Sequence, residues 1–204
     1  MRIAPISCIR PRRDHAAEAL GQLPATDGKL AALVKDGPFE LDVSRSLYLC
    51  ELAEGERSQT MLVCGCKLAG LGGAAADPER VAARAERLSV LGAQDEPVVV
   101  SYAGNIALDI ILGAAKSATP LYALENGSRR LVVWRVSRPE AVEALIATFA
   151  TMDGIIVAGQ ELAGALVVRP GADAPLALAA LVPADQLAGT PLSLPRGLFI
   201  RKLG

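Results

Sequence analysis

Histidine is nearly missing from this chain: His15 is the only one among 204 residues. A single imidazole leaves serine, cysteine and threonine with almost no general base to activate them, so nucleophilic catalysis has little to build on. Excess charge is missing as well. Twenty-one Lys and Arg face 22 Asp and Glu, for a net charge of −1, which provides no bulk positive field and argues against nucleic acid as a partner. Long apolar runs are also absent. A membrane-crossing helix needs about 18 consecutive apolar residues, and despite a mean hydropathy of +0.34 the longest apolar stretches, around Pro97–Leu108 and Ala174–Ala184, are short and bounded by acids. The start, MRIAPISCIRPRR, has too little apolar length for a secretion signal and no small-residue cleavage site after it. The expectation is a cytoplasmic protein with no membrane partner and no bound cofactor.

Cysteine is present but sparse. Cys8, Cys50, Cys64 and Cys66 do not make a disulfide framework in a chain of this size. Cys64 and Cys66 flank Gly65, so on a strand both thiols share one face. With His15 distant in sequence, a zinc or iron site would need Cys8 and Cys50 to converge on that pair. The favoured reading is four buried structural cysteines, with no metal. A thiol or metal role for Cys64 and Cys66 is the weaker alternative.

What the chain does have is apolar content, 51% of its residues, enough for a full core. Periodicity and turn chemistry predict one α+β domain over 1–204, a mixed β-sheet flanked by helices, with a soft boundary near 69–77. Helices are expected over Asp14–Leu23 and Gly28–Val34. Ser46–Leu52 and Ser58–Leu68 read as strands of a hairpin around Glu54-Gly55-Glu56. Asp77 caps and Pro78 opens a helix that keeps Val81, Ala85 and Leu88 on one face and arginines on the other. A strand at Pro97–Tyr102 and a helix at Asn105–Lys116 follow. Asn126-Gly127 then turns a hairpin between Leu121–Leu124 and Arg129–Val136. Pro139 starts a helix to Ala150, Ile155–Val157 is a short strand, and a helix runs from Gly159 to before Pro170. Leu176–Val182 and Gly197–Leu203 read as the last strands.

Three features invite a functional reading. Gly70-Leu71-Gly72-Gly73-Ala74-Ala75 matches a G-x-G-x-x-A dinucleotide pattern. Its helix starts late, however, with the carboxylate of Asp77 where a pyrophosphate would sit, and the next strand does not end in the acid that binds a ribose. It reads as a flexible linker. Arg2, Arg10, Arg12 and Arg13 all precede the first acid, Asp14, and read as a solvated patch in preference to an anion site. The turn at Gly159 displays Gln160 and Glu161 where a strand meets a helix, a place where backbone N–H groups can hold an anion, yet no histidine or lysine adjoins it. Glu161 there is an ordinary first-turn acid complementing the helix dipole.

Several segments carry a family resemblance. Ile9-Arg10-Pro11, the strand pair SLYLCELAEGERSQTMLVCGCKL, the strand Glu96–Tyr102, the segment LVVWRVSRPEAVEALIATF and the late strand LALAALVPADQL occur in that order. In these segments the chain resembles the bacterial family catalogued as domain of unknown function 1015, whose fold is similar to the ParB/sulfiredoxin class. The family's signature turn reads Ala-Asp-Gly-His-His-Arg, and its counterpart here is Val157-Ala158-Gly159-Gln160-Glu161-Leu162. Only the glycine is kept. A His-Glu pair expected near Gly70–Asp77 is also absent, and an arginine expected after the late strand falls at Leu194, or at Arg196 with a gap. The family's members are longer, so the resemblance implies that a C-terminal half is missing.

The resemblance further implies nucleotide-phosphate binding or phosphoryl transfer in relatives with an intact turn. Such chemistry rests on cations and dipoles placed around the phosphate, and this chain has lost them from the turn. The expectation is a non-catalytic, degenerate member that serves as a binding or assembly module and self-associates. The alternative is a nucleotide- or phosphate-binding protein, or a phosphotransferase-like enzyme, whose site is rebuilt from Arg10, Gly159, Gln160, Glu161 and Arg196.

Overall fold

The computed structural model describes residues 1–19, 27–167, 176–187 and 189–203. In chain order the elements are β1 (Ile3–Ala4), β2 (Ile9–Pro11), α1 (Ala16–Ala19), α2 (Asp27–Lys35), β3 (Phe39–Leu41), β4 (Leu47–Glu54), β5 (Arg57–Cys66) and β6 (Gly72–Gly73). Then come α3 (Pro78–Leu91), β7 (Ala93–Gln94), β8 (Val98–Tyr102), α4 (Ile106–Ala115), β9 (Tyr122–Asn126), β10 (Arg129–Val136) and α5 (Pro139–Ala150). The chain finishes through β11 (Ile155–Ala158), α6 (Gln160–Val167), β12 (Ala177–Pro183) and β13 (Arg201–Lys202).

One large mixed sheet organises these elements in the order β6-β11-β8-β12-β5-β4-β10-β9, with β1 also pairing with β5. β11 pairs parallel with β6 and β12 parallel with β8; the other pairings in the sheet are antiparallel. β12 lies centrally and is buried along its length, as its unbroken apolar run requires of a strand covered on both faces. The fold is α+β, a large mixed sheet flanked by helices. Alternation along β4 and β5 divides the core. Leu47, Leu49, Leu62 and Cys64 face helices α3, α4, α5 and α6 through Leu88, Leu108, Leu112, Leu145, Phe149 and Leu162. Tyr48, Cys50, Met61 and Val63 face the opposite way, under Ile6, Cys8, Leu192, Leu198 and Phe199 from the two ends of the chain.

Local signals are realised closely. Asp77 Oδ1 accepts the N–H of Glu79 at 2.9 Å, Pro78 opens α3, and Gly92 ends it in the left-handed region with φ 63°. Asn105 caps α4 through the N–H groups of Ala107 and Leu108. Gly55 and Gly127 take positive φ in the two hairpins.

Three expectations need correction. The segment read as a flexible linker contains β6, where Gly72 and Gly73 pair with Ile155 and Ile156 at the sheet edge. A Cβ on Gly73 would come within 3.1 Å of Ile156, so the glycine permits a close approach. The helix expected from Asp14 is preceded by a 3₁₀ turn at Arg13–His15 and starts at Ala16; its continuation to Leu23 lies outside the described residues. In the strand expected over Gly197–Leu203, only Arg201 and Lys202 pair as a strand, with Gln94 and Ala93 of β7.

Candidate functional site

β11 leads into Gly159, which turns the chain at φ 80°, and α6 follows at once. Gly159 packs against β8, since a Cβ there would stand 3.4 Å from Val98 Cα. The positive φ, more than space, therefore favours glycine at this position. The turn opens on a small cleft of about 200 Å³ whose walls include Arg84, Glu96, Gly159, Glu161 and Leu194.

The arginines of α3 line up along this region at helical spacing, and each meets an acid. Arg80 Nη1 lies 3.7 Å from Glu161 Oε1, Arg84 Nη1 2.5 Å from Glu96 Oε1, and Arg87 Nη2 2.7 Å from Asp95 Oδ2. Arg196 adds contacts to the same two neighbours, 3.5 Å to Asp95 and 3.2 Å to Glu96. Four guanidinium groups thus share three carboxylates. The arginine face of α3 is a ladder of ion pairs tying the helix to Asp95 and Glu96 ahead of β8 and to Glu161 at the start of α6. A phosphate entering this cleft would have to displace Glu96 and Glu161 from their partners.

Of the five residues singled out from the sequence, Gly159 and Glu161 line the cleft, Gln160 opens α6 beside them, and Arg196 reaches the wall residue Glu96. Leu194, the other counterpart of the expected family arginine, also lines it. Arg10 does not. It leaves β2 on a different side of the fold, where its Nε donates to Asp42 Oδ1 at 2.8 Å and its Nη1 to the Tyr122 hydroxyl at 2.9 Å and to Glu40 at 2.6 Å. The solvated-patch reading therefore fails for Arg10, which is buried. Burial opposes its charge, but Tyr122 and Asp42 outweigh that and hold its pKa above the ordinary value.

Asp42 is not marked as a site residue by the sequence, yet it is the hub of a buried polar cluster. Its carboxylate accepts from Arg10, from Arg135 Nη2 at 2.5 Å, from the Tyr48 hydroxyl and from the Cys8 N–H at 3.3 Å. No signal short of the fold joins positions 8, 10, 42, 48 and 135. Every polar atom of the carboxylate is used internally, so the cluster is structural.

The cysteines separate by face. Cys64 and Cys66 lie on the helix side of the sheet, Cys8 and Cys50 on the other, so the four thiols do not converge. Burial pushes the Cys66 thiol up to about 11 and the Cys8 thiol up to about 12, in the latter case with help from the Asp42 charge. These are the inert thiols of a core. Among the described residues no helix is long and apolar enough to cross a membrane.

Comparison with curated proteins and with solved structures finds no match. A family model does match, over residues 6–159, from ahead of β2 to the glycine of the turn. The late strand β12 and the expected arginine position lie beyond that span. Since the matched residues make up about three quarters of the chain, it belongs to the family described as Protein of unknown function (DUF1015).

Proposed function

We propose that this chain is a non-catalytic member of its family, a cytoplasmic assembly module built on a ParB/sulfiredoxin-like scaffold, and that it self-associates through the outer face of α4. The observation that carries the reading is the exposure of Ile106 and Ile110, at 79% and 68%, one helical turn apart on that face. Gly113 and Ala114 continue the same exposed stripe. Its one charge in this helix is Asp109. Burying such a face stabilises by about 25 cal/mol per Å², and small residues let a second copy of the helix approach closely. A two-fold pairing of identical α4 helices satisfies the patch on both copies at once.

Loss of catalysis is supported by the turn itself. Glu161 stands where the family has histidine, paired with Arg80, and the remaining cations near Gly159 are held by Asp95 and Glu96. The rival reading, a nucleotide or phosphate site at Gly159, draws on the presence of Arg84 beside the turn. Thermal-shift titration with ADP, ATP and phosphate, with and without magnesium, separates the two. Stabilisation abolished by Arg84→Ala would favour the rival.

The test of assembly is sedimentation velocity on the wild-type chain and on the Ile106→Asp/Ile110→Asp variant. The expected result is a dimer that the double substitution converts to a folded monomer. A wild-type chain that stays monomeric across the accessible concentration range overturns the reading, as does a dimer indifferent to both substitutions.

A further inference from the structure

A second cavity, remote in the chain from the Gly159 turn, has the opposite electrostatic character. It encloses about 290 Å³ between the β1–β2 connection, the segment after β3 and β13. Three cations line it, Arg45, Arg201 and Lys202, and among the described residues no carboxylate does. Among the described residues none of the three makes an ion pair, whereas each arginine around Gly159 has one.

Among the described residues, the acids nearest Arg45 in the chain are already committed. Asp42 is saturated by Arg10, Arg135, Tyr48 and the Cys8 N–H, and Glu40 is held by Arg10. Arg201 carries the clearest sign of an unmet need, because its Nη1 is buried without a hydrogen-bond partner among the described residues. Buried donors without acceptors are rare and costly. Burial lowers the pKa of Arg201; the Cys8 thiol pulls the other way, and the Arg45 charge adds to the lowering. Two guanidinium groups are therefore held near each other with no anion of the described residues paired to either. Apart from Ser7 the remaining wall is apolar, and Pro5, Leu41 and Leu176 are the apolar residues there that keep accessible surface.

We propose that this cavity binds a small organic phosphate, with the phosphate held by Arg45, Arg201 and Lys202 and the organic body lying against Pro5, Leu41 and Leu176. Charge selects the class of ligand. Three cations without a carboxylate match a dianion better than a monoanion, and the planar forks of two arginines suit phosphate oxygens. Size limits it, because the volume sits at the small end of ligand pockets, which start at about 300 Å³. The site does not depend on self-association through α4.

The experiment is isothermal titration of the full chain with phenyl phosphate and with inorganic phosphate, in chloride buffer of constant ionic strength. Arg45→Ala and Lys202→Ala are the main variants, since both side chains are exposed and their removal leaves the core intact. Arg84→Ala reports on the Gly159 cleft. Saturable phenyl phosphate binding is expected, weakened at least about tenfold by Arg45→Ala, as loss of a charge-assisted contact implies, weakened also by Lys202→Ala, and unchanged by Arg84→Ala. Inorganic phosphate is expected to bind more weakly, lacking the apolar contacts. Inorganic phosphate binding as tightly as the ester overturns the organic part of the assignment. Absence of saturable binding, or binding untouched by both main variants, overturns the site.

Discussion

The side-chain amide of Gln94 pairs with the backbone of Leu178 as a strand would: Nε2 donates to the Leu178 carbonyl at 2.8 Å, and Oε1 accepts the Leu178 N–H at 2.7 Å. β8 begins at Val98, opposite Ala179, so without Gln94 the Leu178 groups on that side would face no strand. The residue is fully buried and donates a further bond to the Glu96 carbonyl at 3.0 Å. Gln94→Leu leaves the donor and acceptor of Leu178 unmet, at about 1–3 kcal/mol each. Gln94→Glu also fails, because a carboxylate cannot donate to the carbonyl. Urea unfolding is expected to show both variants less stable by about 2–4 kcal/mol, and a loss under about 0.5 kcal/mol would show that the pairing is dispensable.

Asp42 predicts a larger effect. Asp42→Asn leaves Arg10 buried with its main carboxylate gone and Arg135 with a weaker partner. Breaking a buried pair from one side typically costs about 3–5 kcal/mol. Arg135→Met removes the more exposed partner and keeps the Arg10–Asp42 pair, so it is expected to cost less. Equilibrium unfolding of the two variants tests the order; an equal or reversed order would mean that Arg135, not Arg10, anchors the carboxylate.

The contrast between these buried contacts and the helix caps shows which parts of the fold the sequence announces. Asp77-Pro78, Asn105 and Asn126-Gly127 act on neighbours a few residues away, so their chemistry is readable in place. Asp42, Gln94 and Gly73 act on partners that only the sheet brings near. Gly72-Gly73 reads as a linker because nothing adjacent in sequence pairs with it, and its partner Ile155–Ile156 belongs to a distant strand. The candidate site divides in the same way. Gly159, Gln160 and Glu161 are one continuous turn and were legible together, whereas Arg10 shares a type with Arg196 but not a neighbourhood. The cations of the second cavity come from residue 45 and residues 201–202, and no spacing rule joins them.

Gly159 should resist substitution for reasons separable from ligand binding. Its φ of 80° disfavours any side chain, while a Cβ would meet Val98 of β8 only at ordinary contact distance. Gly159→Ala is therefore expected to destabilise by about 1–3 kcal/mol. Gly127, with φ 58° and open space around it, should accept asparagine at a few tenths of that cost, because asparagine tolerates the left-handed region. Thermal melts of the two variants compare them directly, and similar losses would mean that asparagine gains nothing at Gly127 from its tolerance of the left-handed region.

Alkaline pH should weaken the fold. Burial raises the Cys8 thiol from 9.0 to about 12 and the Cys66 thiol to about 11, and it pushes up Cys50, Cys64, Tyr48, Tyr102 and Tyr122 as well. In the unfolded chain these groups lose their protons at ordinary values, so above about pH 9 the unfolded state binds fewer protons than the folded state. Stability is then full below the unfolded pKa and falls as pH rises toward the folded values. Each group contributes up to about 1.4 kcal/mol per pH unit within its window. Urea midpoints measured at about pH 8 and about pH 10.5 should drop steeply, and Cys66→Ala should flatten part of the slope between them. A midpoint constant over that range would mean that the thiols and phenols meet solvent in the folded chain, contrary to the burial that defines both faces of the sheet.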